Sequence, residues 1–263
     1  MTTLPKFFDL ADHVALITGG NSGIGLGFAR GLVQCGATVA ICGTNAEKNT
    51  AAVQELNALG GRVASFVCDV GDEAAVIALF GATIEHFGRI DSVFANAGVN
   101  GRARSFVDMS TEEWHRVMRV NLDGAFYTCR QAARHMKERF EGGDTAGGSI
   151  VVTTSGSAYY GQARGQNYAS SKGAVISLMK AIAVEHARHG VRCNAVLPGW
   201  TETELTVAPF SWDKFVAAAM PRVPARRWGV GDDFAGIAAY LASPASAYHT
   251  GDVITIDGGY HSF

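Results

Sequence analysis

Three side chains in the middle of the chain could carry proton-transfer chemistry. Tyr168 and Lys172 stand four residues apart in a helical stretch, so they share one face of that helix. An ammonium group beside a phenol favours the phenolate and should lower the tyrosine pKa from about 10. Ser155 follows an apolar run, where its hydroxyl could hydrogen-bond a substrate oxygen. This set fits general acid–base catalysis, although the Tyr-x-x-x-Lys spacing alone fits a surface pair as well.

A glycine-rich turn separates the first predicted strand from the first predicted helix. Side chains would block both the sharp turn and the approach of a diphosphate, so a dinucleotide site needs glycines here. The helix N-terminus would offer free N–H groups and a positive dipole end to the phosphates. The spacing is G-x-x-x-G-x-G, not the more common G-x-G-x-x-G, and a tight turn without a ligand is the alternative. The residues predicted to bind are Gly19, Asn21, Ser22, Gly23, Ile24 and Gly25.

Two further strand ends carry candidate ligand contacts. Asp69 ends the third predicted strand, where its carboxylate could accept a hydrogen bond from an adenine amino group. A helix N-cap role for Asp69 or Asp72 is equally consistent with the sequence. Asn96-Ala97-Gly98 ends the fourth strand, and its small residues would let the backbone pass close to a flat ligand. Asn96 could also tie neighbouring strands together, so a purely structural turn is the alternative.

Apolar runs and helical segments alternate along the whole chain and would position these residues. Several runs are continuously apolar, as strands buried on both faces of a parallel sheet should be. The alternation predicts right-handed βαβ units, hence an α/β fold whose seven-stranded parallel sheet has helices on both faces. No linker or repeat divides the chain, which predicts one domain over residues 1–263. The predicted strands are 14–18, 38–42, 62–68, 90–95, 149–154, 191–197 and 252–256; the predicted helices are 24–35, 46–59, 73–87, 111–121 continuing through 139, 168–189 and 232–241.

Composition narrows the class of protein. Of 263 residues, 48% are hydrophobic and 17% are charged, which suits a large core, and a net charge of −2 gives no reason to expect a nucleic-acid partner. No signal peptide or run long enough for a membrane span is evident, so we expect a cytoplasmic protein without a membrane partner. The cysteines have no metal-ligand spacing, and we predict no metal and buried free thiols. They are Cys35, Cys42, Cys68, Cys129 and Cys193.

Taken together, these motifs resemble the short-chain dehydrogenase/reductase family, in its single-domain branch of roughly 250 residues. The likeness extends over 14–259, and Ser155 precedes Tyr168 by thirteen residues, as in the family. It implies a doubly wound Rossmann fold with the site at the carboxyl edge of the sheet. The residues that carry the likeness are 18–25, Asp69, Asn96-Ala97-Gly98, Asn121, Ser155, Tyr168, Lys172, Pro198-Gly199, Thr250-Gly251 and Ile256-Asp257-Gly258-Gly259.

The resemblance implies an NAD(P)-dependent oxidoreductase that interconverts a secondary alcohol and a ketone. Tyr168 would be the general acid/base, Ser155 would polarise the carbonyl, and Lys172 would hold the nicotinamide ribose. Asn121 would kink its helix and hold a water linking Lys172 to solvent. Ser157 lies nearby, but its spacing does not fit. Further cofactor contacts are expected from Thr44, Asn45, Asp69, Val70, Asn96, Ala97, Gly98, Tyr168, Lys172, Pro198, Gly199, Thr201 and Thr203.

The end of the second strand should set the choice of cofactor. Family members that use NAD often have an acidic residue where Gly43 stands, and many NADP users have a basic residue where Thr44 or Ser22 stands. This chain has neither. Because a 2′-phosphate without a cationic partner is poorly held, we expect NAD(H) to be favoured over NADP(H). Thr44 and Asn45 could still bind a phosphate, and Lys48 could reach it.

The substrate side is less constrained by the sequence. Residues 203–227, here called the lid segment, should cover the substrate; the family usually has isoleucine where Thr201 stands. The aromatic residues of the lid segment suggest a partly apolar cover, or they pack the segment onto the body of the protein. Arg102 and Arg164 flank the predicted site and could meet a substrate carboxylate or remain solvated. Neither composition nor motifs choose among sugars, polyols, acyl thioesters, steroids and small ketones.

Two other functions and an assembly state accompany this prediction. A dehydratase or epimerase on the same scaffold is one alternative, although the chain has no added substrate domain. A dinucleotide-sensing binding protein without catalysis is the other, although such a protein would typically lose Tyr168 or Lys172. The resemblance also implies a homo-oligomer, tetramer before dimer. It would use the helices around Tyr168 and Asn121 and the last strand.

Overall fold

A seven-stranded, all-parallel β-sheet forms the centre of the molecule, in the order β3-β2-β1-β4-β5-β6-β7. The computed structural model describes residues 5–101 and 103–262; the expectation for Arg102 lies outside them. Strands run outward in both directions from the β1–β4 junction, so chain order reverses there and a crevice opens at the carboxyl ends. The strands are β1 (Val14–Thr18), β2 (Thr38–Gly43), β3 (Arg62–Val67), β4 (Ser92–Ala95), β5 (Gly148–Thr153), β6 (Val191–Pro198) and β7 (Val253–Ile256).

Helices cover both faces of this sheet, as predicted. Because side chains alternate along each strand, Leu16 of β1 enters one apolar core and its neighbours Ala15 and Ile17 enter the other. The first core lies beneath α3, α5 and α7, and the second lies beneath α1 and α10. The helices are α1 (Gly23–Gln34), α2 (Ala46–Ala58), α3 (Glu73–Phe87), α4 (Thr111–Met118), α5 (Gly124–Glu141), α6 (Ser157–Tyr160), α7 (Gln166–His186), α8 (Val207–Phe210), α9 (Asp213–Ala219) and α10 (Ala235–Ala242).

The ends of several strands and helices differ from the predicted ones. The fourth strand begins at Ser92, not at 90, because the Asp91 carboxylate accepts the Val14 N–H at 2.9 Å. The long helix α7 begins at Gln166, and its end tightens into a single turn at Ala187–His189. The helix predicted to begin at 232 opens with a tight turn at Gly231–Phe234. Strand and helix types are otherwise as predicted.

A wide turn interrupts the helical path between α4 and α5. Residues Arg119–Asp123 form a π-helical turn around Asn121, which is 1% exposed. Such turns insert one extra residue and commonly mark functional sites. The predicted kink at Asn121 is therefore present, and it directs this side chain inward.

Helices α1 and α10 cross at very short range. A Cβ atom on Gly27 would lie 1.8 Å from the Gly231 carbonyl oxygen, and one on Gly31 would lie 2.3 Å from the Ala235 carbonyl oxygen. Only glycine fits at these two positions. The approach holds the start of α1, which is the glycine turn, firmly against the body of the protein.

The lid segment contains two short helices, α8 and α9, and a tight turn at Met220–Arg222. Its aromatic side chains pack on tryptophans just outside it: Phe210 stacks on Trp228 with ring centroids 4.4 Å apart, and Phe215 meets Trp200 edge to face with centroids 4.7 Å apart. This arrangement favours the alternative in which the aromatics pack the segment onto the body.

The five cysteines are free thiols; four are buried, as predicted, whereas Cys35 is half-buried. Within the described ranges, no group of histidine, cysteine, aspartate and glutamate side chains could hold a metal ion. None of the helices in that same part of the chain combines the length and apolar character that a membrane crossing requires.

Candidate active site

A cavity of about 1080 Å³ opens at the carboxyl edge of the sheet. Its walls come from the ends of β1, β2, β4, β5 and β6, from the start of α1, from one face of α7 and from the lid segment. This is the position where open parallel sheets bind ligands, and the volume is at the upper end of the range of small-molecule sites.

Ser155, Tyr168 and Lys172 meet in the wall of this cavity. Ser155 lies just beyond β5, and Tyr168 and Lys172 lie on adjacent turns of α7, so the strand end faces one side of the helix. Tyr168 shares a hydrogen bond with the Ser155 hydroxyl. The Ser157 N–H also donates to Ser155 Oγ at 3.3 Å, which fixes the serine side chain. The phenol and the hydroxyl are thus arranged to contact a single substrate oxygen.

The pKa of Tyr168 departs from its ordinary value in the direction opposite to the prediction. Burial raises it because the phenolate is poorly solvated there, and the hydrogen bond with Ser155 lowers it to a smaller extent. Lys172 makes no resolved contribution to this shift, and its ammonium donates to the Thr153 carbonyl oxygen at 2.7 Å. Its Nζ lies 5.7 Å from the centroid of the Tyr168 ring.

Lys172 is a buried cation, with 5% of its surface exposed. Burial lowers its pKa from 10.5 to about 8. A second bond anchors its backbone, since Thr154 Oγ1 donates to the Lys172 carbonyl oxygen at 2.8 Å. The lysine is therefore held by β5 on both sides, with its ammonium at the cavity wall.

Asn121 lies behind the wall and braces it. Its Oδ1 accepts the Val99 N–H at 2.8 Å, and its Nδ2 donates to the Val99 carbonyl at 3.0 Å and to Ser171 Oγ at 3.2 Å. A Cβ atom on Gly98 would lie 3.3 Å from Asn121 Oδ1 and 3.5 Å from Lys172 Nζ. A side chain at Gly98 would therefore press against these two polar groups.

The glycine turn is shaped to receive a diphosphate. Gly19 and Gly23 have φ angles of +62° and +51°, which other residues rarely adopt. A Cβ atom on Gly25 would lie 2.1 Å from the Gly19 carbonyl oxygen, so this glycine serves the turn and does not line the cavity. The Ser22 side chain makes no cap for α1, which leaves the first N–H groups of the helix available to an anion. This chain therefore fits a dinucleotide at the turn.

Asn96 ties three strands together at the edge of the sheet. Its Nδ2 donates to the carbonyl oxygens of Thr18 at 3.1 Å and Gly19 at 3.2 Å, and its Oδ1 accepts from Thr153 Oγ1 at 3.0 Å. Thr18 Oγ1 in turn accepts the Asn96 and Ala97 N–H groups. The predicted tie is confirmed, and it joins the glycine turn to the strand that precedes Ser155.

The two aspartates after β3 have different partners. Asp72 is the N-cap of α3, with Oδ1 accepting the Ala74 N–H at 2.9 Å. Asp69 lines the cavity and accepts from the Gly71 N–H and from Arg119, both at 2.9 Å. Burial raises the pKa of Asp69, but these two bonds outweigh burial and hold it below its usual value. An adenine amino group would share this carboxylate with Arg119.

Side chains crowd the end of β2. Asn21 Nδ2 donates to Asn49 Oδ1 at 2.7 Å, directly over Gly43, where an added Cβ atom would lie 2.3 Å from Asn21 Nδ2. Asn45 caps α2 by accepting the Lys48 N–H at 2.9 Å. The Lys48 ammonium forms an ion pair with Glu204 of the lid segment. The one lysine in this corner thus already has an anionic partner.

The strand end after β6 leads directly into the lid segment. Thr201 is 3% exposed, and its carbonyl oxygen accepts from Thr206 Oγ1 at 2.7 Å. Thr206 Oγ1 also accepts the Thr203 N–H at 2.9 Å. A Cβ atom on Gly23 would lie 2.9 Å from Thr203 Cγ2, so the base of the lid segment packs directly on the glycine turn.

The structure brings nearly all of the predicted site residues to one cavity. Gly25 and Asn121 stand behind its wall. Arg164 is exposed, lies outside the cavity and has a positive φ of 66°. The predicted residues that line the cavity are Gly19, Asn21, Ser22, Gly23, Ile24, Thr44, Asn45, Asp69, Val70, Asn96, Ala97, Gly98, Ser155, Tyr168, Lys172, Pro198, Gly199, Thr201 and Thr203.

Sequence reasoning missed a polar group at the far end of the cavity from the glycine turn. Arg222 from the lid segment and Tyr260 and His261 from the C-terminal residues line this end. The Asp257 carboxylate lies 2.8 Å from His261 Nδ1. An arginine inside the lid segment and a histidine four residues after a strand-end aspartate were the available signals.

Comparison with known proteins agrees with this architecture. A family model described as enoyl-(acyl carrier protein) reductase matches residues 19–261. Gluconate 5-dehydrogenase of Gluconobacter oxydans is 35% identical over 255 residues, 97% of each chain. An L-rhamnose 1-dehydrogenase (NAD(P)(+)) of Azotobacter vinelandii is also 35% identical, over 95% of this chain and 97% of its own.

Solved structures give the same result. A gluconate 5-dehydrogenase of Burkholderia cenocepacia, in complex with NADP and tartrate, superposes with a TM-score of 0.90 at 36% identity over 98% of both chains. A short-chain type dehydrogenase/reductase of Mycobacterium marinum gives 0.89 at 35% identity over 97% of both. With the parallel sheet, the glycine turn and the meeting of Ser155, Tyr168 and Lys172, these likenesses identify the chain as a member of the short-chain dehydrogenase/reductase family of NAD(P)-dependent oxidoreductases, which interconvert alcohols and ketones.

Proposed function

We propose that Tyr168 is the general acid/base of this oxidoreductase, with Ser155, Lys172 and Asn121 in supporting roles. The observation that carries the proposal is that the side chains of Ser155, Tyr168 and Lys172 meet in the wall of one cavity, with the buried Lys172 one helical turn from Tyr168. A phenol kept protonated by burial is suited to give its proton to a developing alkoxide.

In ketone reduction, a bound nicotinamide dinucleotide supplies the hydride that the carbonyl carbon accepts. Tyr168 donates its proton to the carbonyl oxygen as negative charge develops there. Ser155 donates a second hydrogen bond to that oxygen and stabilises the charge in a site shielded from water. Lys172 would hold the ribose hydroxyls of a bound dinucleotide and would stabilise the tyrosinate that remains. Asn121 braces the wall next to Lys172 through its bonds to Val99 and Ser171. In alcohol oxidation each proton moves the opposite way.

The rest of the cavity would hold the dinucleotide. The N–H groups at the start of α1 and the turn at Gly19 and Gly23 would take the diphosphate. Asp69 and Val70 would border the adenine, and Asn96, Ala97 and Gly98 would let the central part of the ligand lie against the sheet. Pro198, Gly199, Thr201 and Thr203 would border the nicotinamide.

For the choice of cofactor, we propose that NAD(H) is favoured over NADP(H). The argument is electrostatic: no cation stands at Ser22, Gly43 or Thr44, and Lys48 is already paired with Glu204. A 2′-phosphate would add negative charge beside that glutamate. The Burkholderia cenocepacia neighbour was solved with NADP, so the preference of this chain needs a direct measurement.

The test is a titration of NADH and NADPH by fluorescence into wild type, Tyr168→Phe and Thr44→Arg, with turnover of an alcohol and ketone panel measured beside it. Tyr168→Phe should bind NADH as wild type does but lose kcat by roughly 10²- to 10⁴-fold. Unchanged turnover in this variant would contradict the catalytic role, and absence of turnover in wild type would favour a dinucleotide sensor.

Thr44→Arg supplies the missing cation and should shift preference toward NADPH, since a charge-assisted bond to phosphate adds about 1.5–3 kcal/mol. If wild type already binds NADPH more tightly, the NAD preference is wrong and the phosphate must be held by Thr44, Asn45 or Lys48.

We also propose a single domain over residues 1–263, with the lid segment at 203–227 covering a small-molecule substrate in a cytoplasmic homo-oligomer. Exposed apolar side chains support association: Val184 on α7 is 84% exposed and Phe126 on α5 is 39% exposed. Among the described strands, β7 pairs only with β6, so its outer edge is available to a second copy.

A further inference from the structure

The substrate end of the cavity contains a cation without a counterion. Arg222 lines the cavity, and its guanidinium carbon lies 4.8 Å from the centroid of the Tyr260 ring. Within residues 5–101 and 103–262, no carboxylate lies within ion-pair distance of Arg222. Three other cationic side chains that line the cavity form ion pairs with carboxylates: Arg116 with Glu113, Arg119 with Asp69 and Lys48 with Glu204.

A histidine of fixed tautomer stands beside this arginine. His261 Nδ1 is 2.8 Å from Asp257 Oδ2, and the same oxygen accepts the His261 backbone N–H at 2.7 Å. Because a carboxylate only accepts, Nδ1 must carry the proton, and Nε2 of the neutral ring is then an acceptor. The pair is shielded from water, with 15% of the His261 side chain and 8% of the Asp257 side chain exposed.

His261 Nε2 faces the catalytic end of the cavity. A Cβ atom on Gly156 would lie 1.9 Å from Nε2, so the ring edge rests on the residue that follows Ser155. Tyr160 stacks on the opposite side, with ring centroids 5.0 Å apart and planes at 10°. The Tyr260 ring lies 5.2 Å from that of His261, and Arg222 lies against Tyr260. The order along the wall is thus Ser155, Gly156, His261, Tyr260 and Arg222.

The aromatic side chains of the lid segment do not line the cavity. Phe210 and Phe215 pack against neighbouring tryptophans and are not part of the cavity lining. Leu205 and Pro209 of the lid segment do line it, together with Arg222, whose side chain is exposed. A steroid or other large apolar substrate would make no hydrogen bond with Arg222 or with His261 Nε2.

We infer that the substrate is a polyhydroxylated carboxylate, a sugar acid or its keto form, whose carboxylate binds Arg222 and one of whose hydroxyls donates to His261 Nε2. The reacting carbon would lie at Ser155 and Tyr168, some atoms away from the carboxylate. This inference rests on the proposed function, since it assigns the substrate of the same site. Arg222 and His261 are specificity-determining residues in this scheme.

The experiment compares charged and uncharged substrates of equal length. Aldonates of four to six carbons, gluconate among them, are assayed beside the matching alditols, sorbitol among them, with the preferred dinucleotide. The variants are Arg222→Met, which keeps the side-chain stem, and His261→Asn; the control is Arg164→Met, an exposed arginine outside the cavity. Dinucleotide binding by fluorescence verifies that each variant is folded.

Arg222→Met should lower kcat/KM for aldonates roughly 10- to 100-fold, mainly through KM, and leave alditols unchanged. His261→Asn should lower both series by similar factors, because the hydroxyl is common to both, and Arg164→Met should change neither. Equal losses on the two series in Arg222→Met, or a wild-type preference for alditols or apolar ketones, would overturn the inference while leaving the proposed function intact. If wild type turns over no alcohol or ketone of any class, the proposed function itself fails.

Discussion

At the scale of single residues, the buried lysine is the feature with the clearest thermodynamic signature. Lys172 is held against Thr153 by one hydrogen bond, and burial lowers its pKa to about 8. The unfolded lysine keeps its proton to about pH 10.5. Between these two values the unfolded chain binds more protons than the folded one, so the free energy of unfolding increases with pH over this window.

We expect this contribution to disappear in Lys172→Met, whose side chain does not titrate. The free energy of unfolding of wild type, minus that of the variant, should rise by about 3 kcal/mol between pH 7.5 and pH 10.5. Urea unfolding of both proteins across that range measures it. A difference that stays constant would show that Lys172 titrates near its ordinary pKa, and one that falls as the pH rises would show that folding raises its pKa.

Spacing made the proposed catalytic residues predictable, whereas it did not predict the proposed substrate-binding residues. Tyr168 and Lys172 lie on one regular helix, so four residues of separation fix their relative position. Arg222 and His261 belong to a turn and to the C-terminal residues, which have no periodicity, and only the folded chain brings both to one cavity. The direction of the Tyr168 pKa shift could not be predicted from the sequence either. It depends on how deeply the phenol is buried and on which group the Lys172 ammonium binds.

At the scale of elements, the crossing of α1 over α10 limits what the chain tolerates. A methyl group on Gly27 would collide with the Gly231 carbonyl oxygen, which is backbone and cannot rotate away. We expect Gly27→Ala to lower the free energy of unfolding by about 3 kcal/mol. The matched control is Gly81→Ala within α3, where no atom lies within 4 Å of the added Cβ and the change should stabilise by about 1 kcal/mol.

Urea unfolding of the two variants beside wild type checks this expectation. Equal effects at the two glycines would mean that helix propensity, not the crossing, decides the outcome. Because Gly27 follows the glycine turn by only two residues, the destabilised variant should also bind dinucleotide less tightly.

The types and order of the elements followed from the sequence because hydrophobic periodicity reports burial directly. Their ends did not, since Asp91 takes over a backbone role at the start of β4 and the ends of α7 and α10 tighten into turns. The lid segment showed no periodicity because its short helices are held by aromatic stacking, not by an apolar stripe.

At the scale of the whole molecule, association should follow from the apolar surface of α7. We expect Val184→Asp to lower the molar mass measured by light scattering, because it places a charge in the proposed interface. Val67→Asp is the control, as Val67 is 65% exposed at the end of β3, away from α7. A wild type that is already monomeric, or a loss of mass in the control alone, would reject this interface.

The clamp formed by Asn96 has a consequence for how such a protein can diversify. Through one side chain, the ends of β1, β4 and β5 are fixed relative to one another, so the glycine turn and Ser155 cannot drift apart. The distance between the glycine turn and Ser155 is thus set by the sheet, which the two apolar cores keep rigid. In the proposed scheme, the substrate is selected by the lid segment and the C-terminal residues, and the lid segment contributes no residue to those cores. Mutations in these peripheral segments can therefore change the substrate while the residues that carry out the reaction keep their positions. This separation is a structural basis for evolvability.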